Sequence, residues 1–393
     1  MGRCDEAWRI YQDGVQRLLD RLLTLDAAQT EEGAAQAHRV LLEAQAAAYN
    51  LTIAPDFRQP RLQRQTVFTS GVYDWLMPNP DFIYRYGFLD GDGAYRLTGK
   101  RGASAFLDLQ TIAGFFGDPD LKLLDSFQLD AWTDGAGDID VYLSAVRPAE
   151  KKNWAPLTPG RLNTIILREA FADWSVSGAT GLRLQPAQSL PSQTFGAVSL
   201  AERLSAALRM MDYCVGVFGP EFCQSIAKRM GVNRFVHVDT SRDKDGANPG
   251  VAYVPAAYRI NSGEVLVITF KAPRARYWGI HLTDMWSRTA DYAGAQSSLN
   301  EPMAHVDGDG CVRIVLSLED PGVANWLDPI GREEGMILLR WYNADSAPVP
   351  DIAVSPARDL RSFLPPETKY VSAEQRAESI ALRRALVARR DEG

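Results

Sequence analysis

The chain has 393 residues, 46% of them hydrophobic and 23% charged, with a formal net charge of −7. That length exceeds one ordinary hydrophobic core, so two domains with helical additions are expected. The modest negative charge lacks the clustered Lys and Arg that displace counterions from nucleic acid or anionic lipid, so neither is an expected partner.

From the N-terminus, Met1 to Glu6 run directly into an amphipathic pattern without the apolar stretch of a signal peptide. No later run reaches the roughly 18 apolar residues of a membrane span, so a cytoplasmic protein is expected. Trp8, Tyr11, Val15, Leu18, Leu22 and Leu25 recur at helical intervals, and an alanine-rich helix is expected from Glu31 to Ala48. Residues 1–60 thus read as a helical hairpin lying on the domain that follows.

Residues 61–180 change character. Short alternating apolar runs such as Tyr95 to Thr98, Ala105 to Leu109 and Asp140 to Leu143 are separated by Gly, Asp, Asn and Pro, with Asp90-Gly91-Asp92-Gly93 the plainest turn. That is the rhythm of a β-sandwich or jelly roll. Residues 181–233 form a helical insert, in which Ser199 with Glu202 has capping-box spacing, Pro220 opens a second helix and Gly231 ends it. A second β-sandwich is expected over 234–345. A Pro-rich stretch and a last helix, capped by Ser372 with Gln375 and ending in a solvated Arg389-Arg390 cluster, fill 346–393.

The two β regions repeat one another. Asn79-Pro80 through Tyr84 recurs as Asn248-Pro249 through Tyr253, Gln110 as His281, Asn153-Trp154 as Asn325-Trp326, and Arg168 as Arg340, in one order and at offsets of 169 to 173 residues. The chain therefore reads as mainly β with two tandem jelly-roll sandwiches related by internal duplication. Trp154 should superpose on Trp326 and Arg168 on Arg340. Positions kept in both copies are read first as fold positions: the Asn-Pro pairs as turn caps, the Asn-Trp pairs as anchors, and the arginines as pins from strand to anchor.

Asn79 through Tyr84, Asp90 through Gly102, Tyr277 through Trp286 and Leu316 through Asp328 resemble the bacterial family that pairs the domain of unknown function 1254 with the domain of unknown function 1214. The similarity is strongest over roughly 250–342, weaker over 68–174, and does not reach the N-terminal hairpin. The resemblance implies two jelly-roll sandwiches, similar to the double jelly rolls of a viral capsid protein and a peptide N-glycanase. It supplies no reaction. It implies export for some relatives, an expectation that does not pass to this chain, which shows no signal peptide.

Positions that differ between the copies are the functional candidates, because a fold that accepts the other residue does not require the charge. Asp81 stands opposite Gly250, His281 opposite Gln110, Asp284 opposite Ala113 and Asp328 opposite Pro156. His281 is one of four histidines and the natural general acid or base; a structural histidine at the sheet edge is the alternative. His237 and Asp239 could share a strand face as metal ligands, but no third ligand is evident, so no metal and no organic cofactor are expected. The four cysteines lack ligand spacing and read as free thiols.

The leading expectation is a cofactor-independent lyase or hydrolase acting by acid/base chemistry on a small, largely apolar molecule at the junction of the sandwiches. Its catalytic residues would be His281, Asp284, Asp81 and Tyr84. Arg85 would hold an anionic group, with Tyr253, Tyr258, Trp278, Trp286 and Asp328 around the substrate. The rivals are a glycan- or small-molecule-binding module and a purely structural block; a homo-oligomer is compatible with each.

Overall fold

The computed structural model describes residues 2–64, 74–189, 191–193, 195–238, 248 and 250–391. The first half supplies strands β1 (Gln63–Arg64), β2 (Asp74–Trp75), β3 (Phe82–Asp90), β4 (Tyr95–Lys100), β5 (Phe106–Ala113), β6 (Lys122–Gln128), β7 (Asp138–Ser144), β8 (Trp154–Pro156), β9 (Leu162–Ala170) and β10 (Arg183–Pro186). The second supplies β11 (Arg234–Phe235), β12 (Val251–Arg259), β13 (Glu264–Lys271), β14 (Tyr277–Thr283), β15 (Arg288–Thr289), β16 (Ser298–Asn300), β17 (Cys311–Ser317), β18 (Trp326–Leu327), β19 (Glu334–Tyr342) and β20 (Asp351–Pro356).

Both halves have the same topology. One sheet runs β1-β3-β9-β5-β6 in the first half, and its counterpart begins β11-β12-β19-β14 in the second. The other sheet runs β10-β4-β7-β8, and its counterpart runs β20-β13-β17-β18. The chain crosses repeatedly between the two layers of each sandwich, as in a jelly roll. The repeated Asn-Trp pairs sit on equivalent parallel ladders, Trp154 beside Tyr142 and Trp326 beside Val315. Each indole NH binds a serine at the same place, Ser144 Oγ at 3.1 Å or the Ser317 carbonyl at 3.1 Å.

Strand alternation sorts the side chains. Leu89, Leu97, Leu109, Val141 and Leu167 fill the first sandwich, and Val254, Leu266, Ile280, Ile314 and Trp341 fill the second. At about 1.5–3 kcal/mol for each large apolar side chain, these two interiors dominate the stability. The opposite faces of the two larger sheets meet one another. Phe82, Phe106, Tyr277 and Tyr342 form an aromatic cluster between them, with Val251 packed against it, and the Phe106 and Tyr342 ring centroids are 4.7 Å apart.

The helices tie the halves together. α1 (Arg3–Leu23) and α2 (Glu31–Ala48) pack with α3 (Ala197–Gly216) around Leu22, Val40 and Met211, and this cluster takes in Phe88 and Phe115 of the first half and Trp286 of the second. The hairpin therefore bridges both repeats and does not rest on the first alone. Arg288 of β15, buried, pairs with Glu43 of α2 at 3.0 Å, and β15 also pairs with β2, which precedes the first sandwich in the chain. α4 (Pro220–Met230) begins at Pro220 and is capped by Gly231 at a φ of +78°. α3 starts at Ala197, so Ser199 lies inside its first turn and accepts from the Gly196 NH instead of serving as the N-cap.

α5 (Ala373–Asp391) carries the reciprocal Ser372–Gln375 cap. Its C-terminal end departs from the expected solvated cluster. Arg376, Arg383 and Arg390, seven residues apart, are all buried. Arg383 binds Ser298 Oγ at 2.8 Å, and Arg390 donates to the Pro80 carbonyl at 2.6 Å. Their guanidiniums lie over the Trp326 and Trp174 rings, which gives each an aromatic face as well as acceptors.

Candidate functional site

A cavity of about 690 Å³ opens where the two large sheets diverge from the aromatic cluster, with α4 and residues 76–78 closing it. Its volume is that of a small-molecule site. The walls are largely apolar, with Phe82, Ile166, Phe218, Val254 and Leu338 among them.

The polar groups come from a register that the duplication reproduces. On the first large sheet Tyr84 of β3 lies opposite Arg168 of β9, which lies opposite Asp108 of β5. On the second, Tyr253 of β12 lies opposite Arg340 of β19, which lies opposite Gly279 of β14. Directly opposed residues share a face, so each Tyr-Arg pair projects from its sheet into the common space. Both guanidiniums lie over their tyrosine rings, at 6.0 Å for Arg168 and 5.7 Å for Arg340.

Each arginine is steadied differently. Arg168 donates to Gln110 Oε1. Arg340 donates to the Met77 carbonyl at 2.7 Å and lies 3.4 Å from His281 Nδ1. Leu76 and Met77 both have positive φ, 65° and 54°, and the Met77 NH donates to Ser287, so this corner is held in a costly conformation by the second half of the chain. Among the described residues neither Arg168 nor Arg340 forms an ion pair.

Burial raises the Tyr84 hydroxyl above the usual phenol range despite both guanidiniums, so it is a proton donor near neutrality. Tyr277, also on the wall, donates to Asp81 Oδ2 at 2.5 Å and accepts from Asn79 Nδ2 at 2.8 Å. Burial, then the Asp81 charge, push its hydroxyl well upward. Asn79 also caps the turn through the Asp81 NH, and Asn248 caps Gly250 while binding the Tyr342 hydroxyl at 2.9 Å.

The sequence-derived candidates fall into three groups. Tyr84 and Tyr253 line the cavity. His281 and Asp81 lie one layer behind it, His281 against Arg340 and Asp81 between Tyr277 and Trp174, whose indole NH is 2.6 Å away. Burial, with Arg340 adding to it, drops the His281 pKa well below the imidazole range, while burial raises that of Asp81. The remaining six lie elsewhere. Asp284 caps the turn to Arg288, and Asp328 caps Ile330. Trp278 and Tyr258 are in the second sandwich interior, and Trp286 is under the helical hairpin.

Arg85 points to the opposite face, where it pairs with buried Glu169. The anion-holding role assigned to it is available to Arg168 and Arg340, which sequence reasoning read as pins to the Asn-Trp anchors. They project away from those anchors. The usable signal was the recurrence of a Tyr and an Arg at matching places in both copies. Of the suggested metal pair, His237 is exposed and Asp239 lies outside the described residues.

Residues 257–346 match the family model described as "Protein of unknown function (DUF1214)". No curated protein matches the chain. Among solved structures, an uncharacterized protein from Burkholderia cenocepacia is similar over 90% of this chain and 97% of its own, at 25% identity and a TM-score of 0.80. The VPA0106 protein from Vibrio parahaemolyticus is similar over 80% of this chain and 98% of its own, at 13% identity and a TM-score of 0.47, too distant to bear on the fold.

Proposed function

We propose that the cavity between the sandwiches binds a small, largely apolar organic anion. One observation carries this reading: Arg168 and Arg340, free of ion pairs among the described residues, line a largely apolar cavity of about 690 Å³, in which the one carboxylate on the wall, Glu221, is paired with Arg21 outside the lining. A charge held away from solvent without a counter-charge is costly, and an anionic ligand would offset that cost while its apolar body covers the walls. Octyl sulfate and uncharged 1-octanol test it by calorimetry. Octyl sulfate should bind the wild type more tightly, and Arg340→Gln should weaken it by about ten- to a hundredfold, as for a lost hydrogen bond to a charged group, with little change for 1-octanol. Equal affinity of the wild type for the two probes would refute the reading.

A catalytic extension, as a cofactor-independent lyase or hydrolase, is favoured by the two phenols beside the guanidiniums. Tyr84, kept protonated by burial, is suited to protonate or hydrogen-bond a developing oxyanion. His281 would then orient Arg340 and not itself abstract a proton. The kinship of the first sandwich with the domain of unknown function 1254, and a cytoplasmic location, belong to this proposal as well.

A further inference from the structure

Corresponding rows of the two large sheets meet at the floor of the cavity. On the first sheet Phe106, Ala170 and Phe82 lie opposite one another across β5, β9 and β3, and on the second Tyr277, Tyr342 and Val251 do so across β14, β19 and β12. These residues make one buried cluster. Rings touch across it, Phe106 with Tyr342 at 4.7 Å between centroids and Phe82 with Tyr277 at 5.2 Å, so the same row of both copies seals the floor.

Two positions away on each strand, and on the same face, come Tyr84 with Arg168 and Tyr253 with Arg340. At about 3.3–3.4 Å per residue, both pairs stand about 7 Å beyond the seal. Sheets packed face to face are about 10 Å apart, so at this shallow depth the two arginines confront one another across a gap that long side chains can span. The Tyr84 hydroxyl registers both. Burial raises its pKa, and of the charges that oppose this, Arg340 of the facing sheet acts more strongly than Arg168 of its own. One row further out the wall turns apolar, with Ile166 on the first sheet and Leu338 beside Pro255 on the second.

The neighbouring carboxylates are answered by other cations. Burial raises the Asp108 pKa to about 6, opposed first by Arg276 and only then by Arg168. Asp130 pairs with Arg276 at 2.9 Å and with Arg101 at 2.5 Å, so Asp108, Asp130, Arg276 and Arg101 carry two charges of each sign and balance without Arg168. Asp81 faces Arg390 and Arg383 of α5. On α4, Glu221 pairs with Arg21 at 2.5 Å, and Arg229 is exposed and screened by solvent. Two positive charges are left at the floor.

We infer that the two copies clamp one doubly charged head group there, a phosphate monoester dianion held by Arg168 and Arg340 with the Tyr84 hydroxyl, its apolar chain leading out past Ile166 and Leu338. This rests on the anion-site reading above and narrows the ligand to an apolar organophosphate. Guanidiniums arriving from opposite sheets suit a tetrahedral head, whose oxygens point in several directions, and two positive charges in a poorly screened interior favour two negative ones.

Octyl phosphate and octyl sulfate are alike in shape, but at pH 8 the phosphate carries close to two charges, its second pKa being about 6, and the sulfate one. Calorimetry on the full chain should show octyl phosphate binding the wild type about tenfold or more tightly than octyl sulfate. Arg168→Gln and Arg340→Gln should each weaken octyl phosphate about ten- to a hundredfold and abolish its advantage, while unchanged 1-octanol binding reports an intact fold. Inorganic phosphate should bind far more weakly than octyl phosphate. A wild type that binds octyl sulfate as tightly as octyl phosphate, or an advantage that survives in either variant, overturns the clamp and leaves the anion site standing. Inorganic phosphate binding as tightly as octyl phosphate overturns the organophosphate assignment. If octyl sulfate binds the wild type no better than 1-octanol does, the anion site itself falls.

Discussion

Replacing Tyr277 by Phe removes one oxygen from the junction and nothing else. The ring should be tolerated, because Phe106 occupies the matching position of the first copy and packs in the same cluster. The hydroxyl lost is the donor to Asp81 at 2.5 Å and the acceptor from Asn79 at 2.8 Å. A hydrogen bond to a charged group contributes about 1.5–3 kcal/mol and a neutral one about 1, so the variant should lose about 2–4 kcal/mol at neutral pH. That is a sizeable share of a total of about 5–15 kcal/mol. The loss has a pH signature. Asp81 already has a raised pKa from burial, and without the Tyr277 donor it rises further. The native variant then holds its proton more tightly than the unfolded chain, so its stability falls as pH rises above the carboxylate value of 3.8. Urea unfolding at pH 7 and at the lowest pH where both proteins fold should show the deficit shrinking in acid. A deficit below about 0.5 kcal/mol at pH 7, or one that grows in acid, would refute the network.

His281→Gln should fold with little loss, since Gln110 serves at that place in the sister copy, and it should remove a pH dependence. His281 has a lowered pKa in the fold, so the unfolded wild type binds the extra proton and stability declines as pH drops below about 6.5, by up to about 1.4 kcal/mol per unit. The variant's unfolding curve should be flatter by that slope. Trp326→Ala should cost about 3–5 kcal/mol in urea unfolding, and Trp154→Ala less, because Trp154 is only partly buried. Dialysis against a chelator should leave octyl sulfate affinity unchanged; a chelator-dependent loss would point to a metal.

The fold was legible because duplication amplifies weak signals. No single match between the copies is convincing, but turn caps, anchors and alternating strands fall in one order, and each has a physical cause. The Asn-Pro corners illustrate both the reach and the limit of that reasoning. Their turn-capping amides follow from local chemistry, whereas the Asn79 to Tyr277 and Asn248 to Tyr342 bonds span distant strands and leave no local trace. The α5 arginines mark another limit. Three residues spaced by seven on a charged helix look solvated, and only the placement of Trp174, Trp326 and the Pro80 carbonyl reveals that each guanidinium is buried.

The site was harder to read because the criterion of asymmetry addresses only one kind of divergence. A residue that differs between copies is dispensable for the fold, which brought out His281 and Asp81, yet both lie behind the cavity wall. The groups on the wall, Tyr84 with Arg168 and Tyr253 with Arg340, are the ones the copies share. Two copies of one sheet packed face to face bring equivalent rows to a common space, so a shared pair there is duplicated function as readily as duplicated fold. Divergence then works from the second layer, where Gln110 against His281 and Asp108 against Gly279 give two identical arginines unequal surroundings. In a tandem repeat of this kind, the shared polar residues on the facing sheets indicate where a ligand sits, and the unshared ones beside them set how each copy holds its arginine.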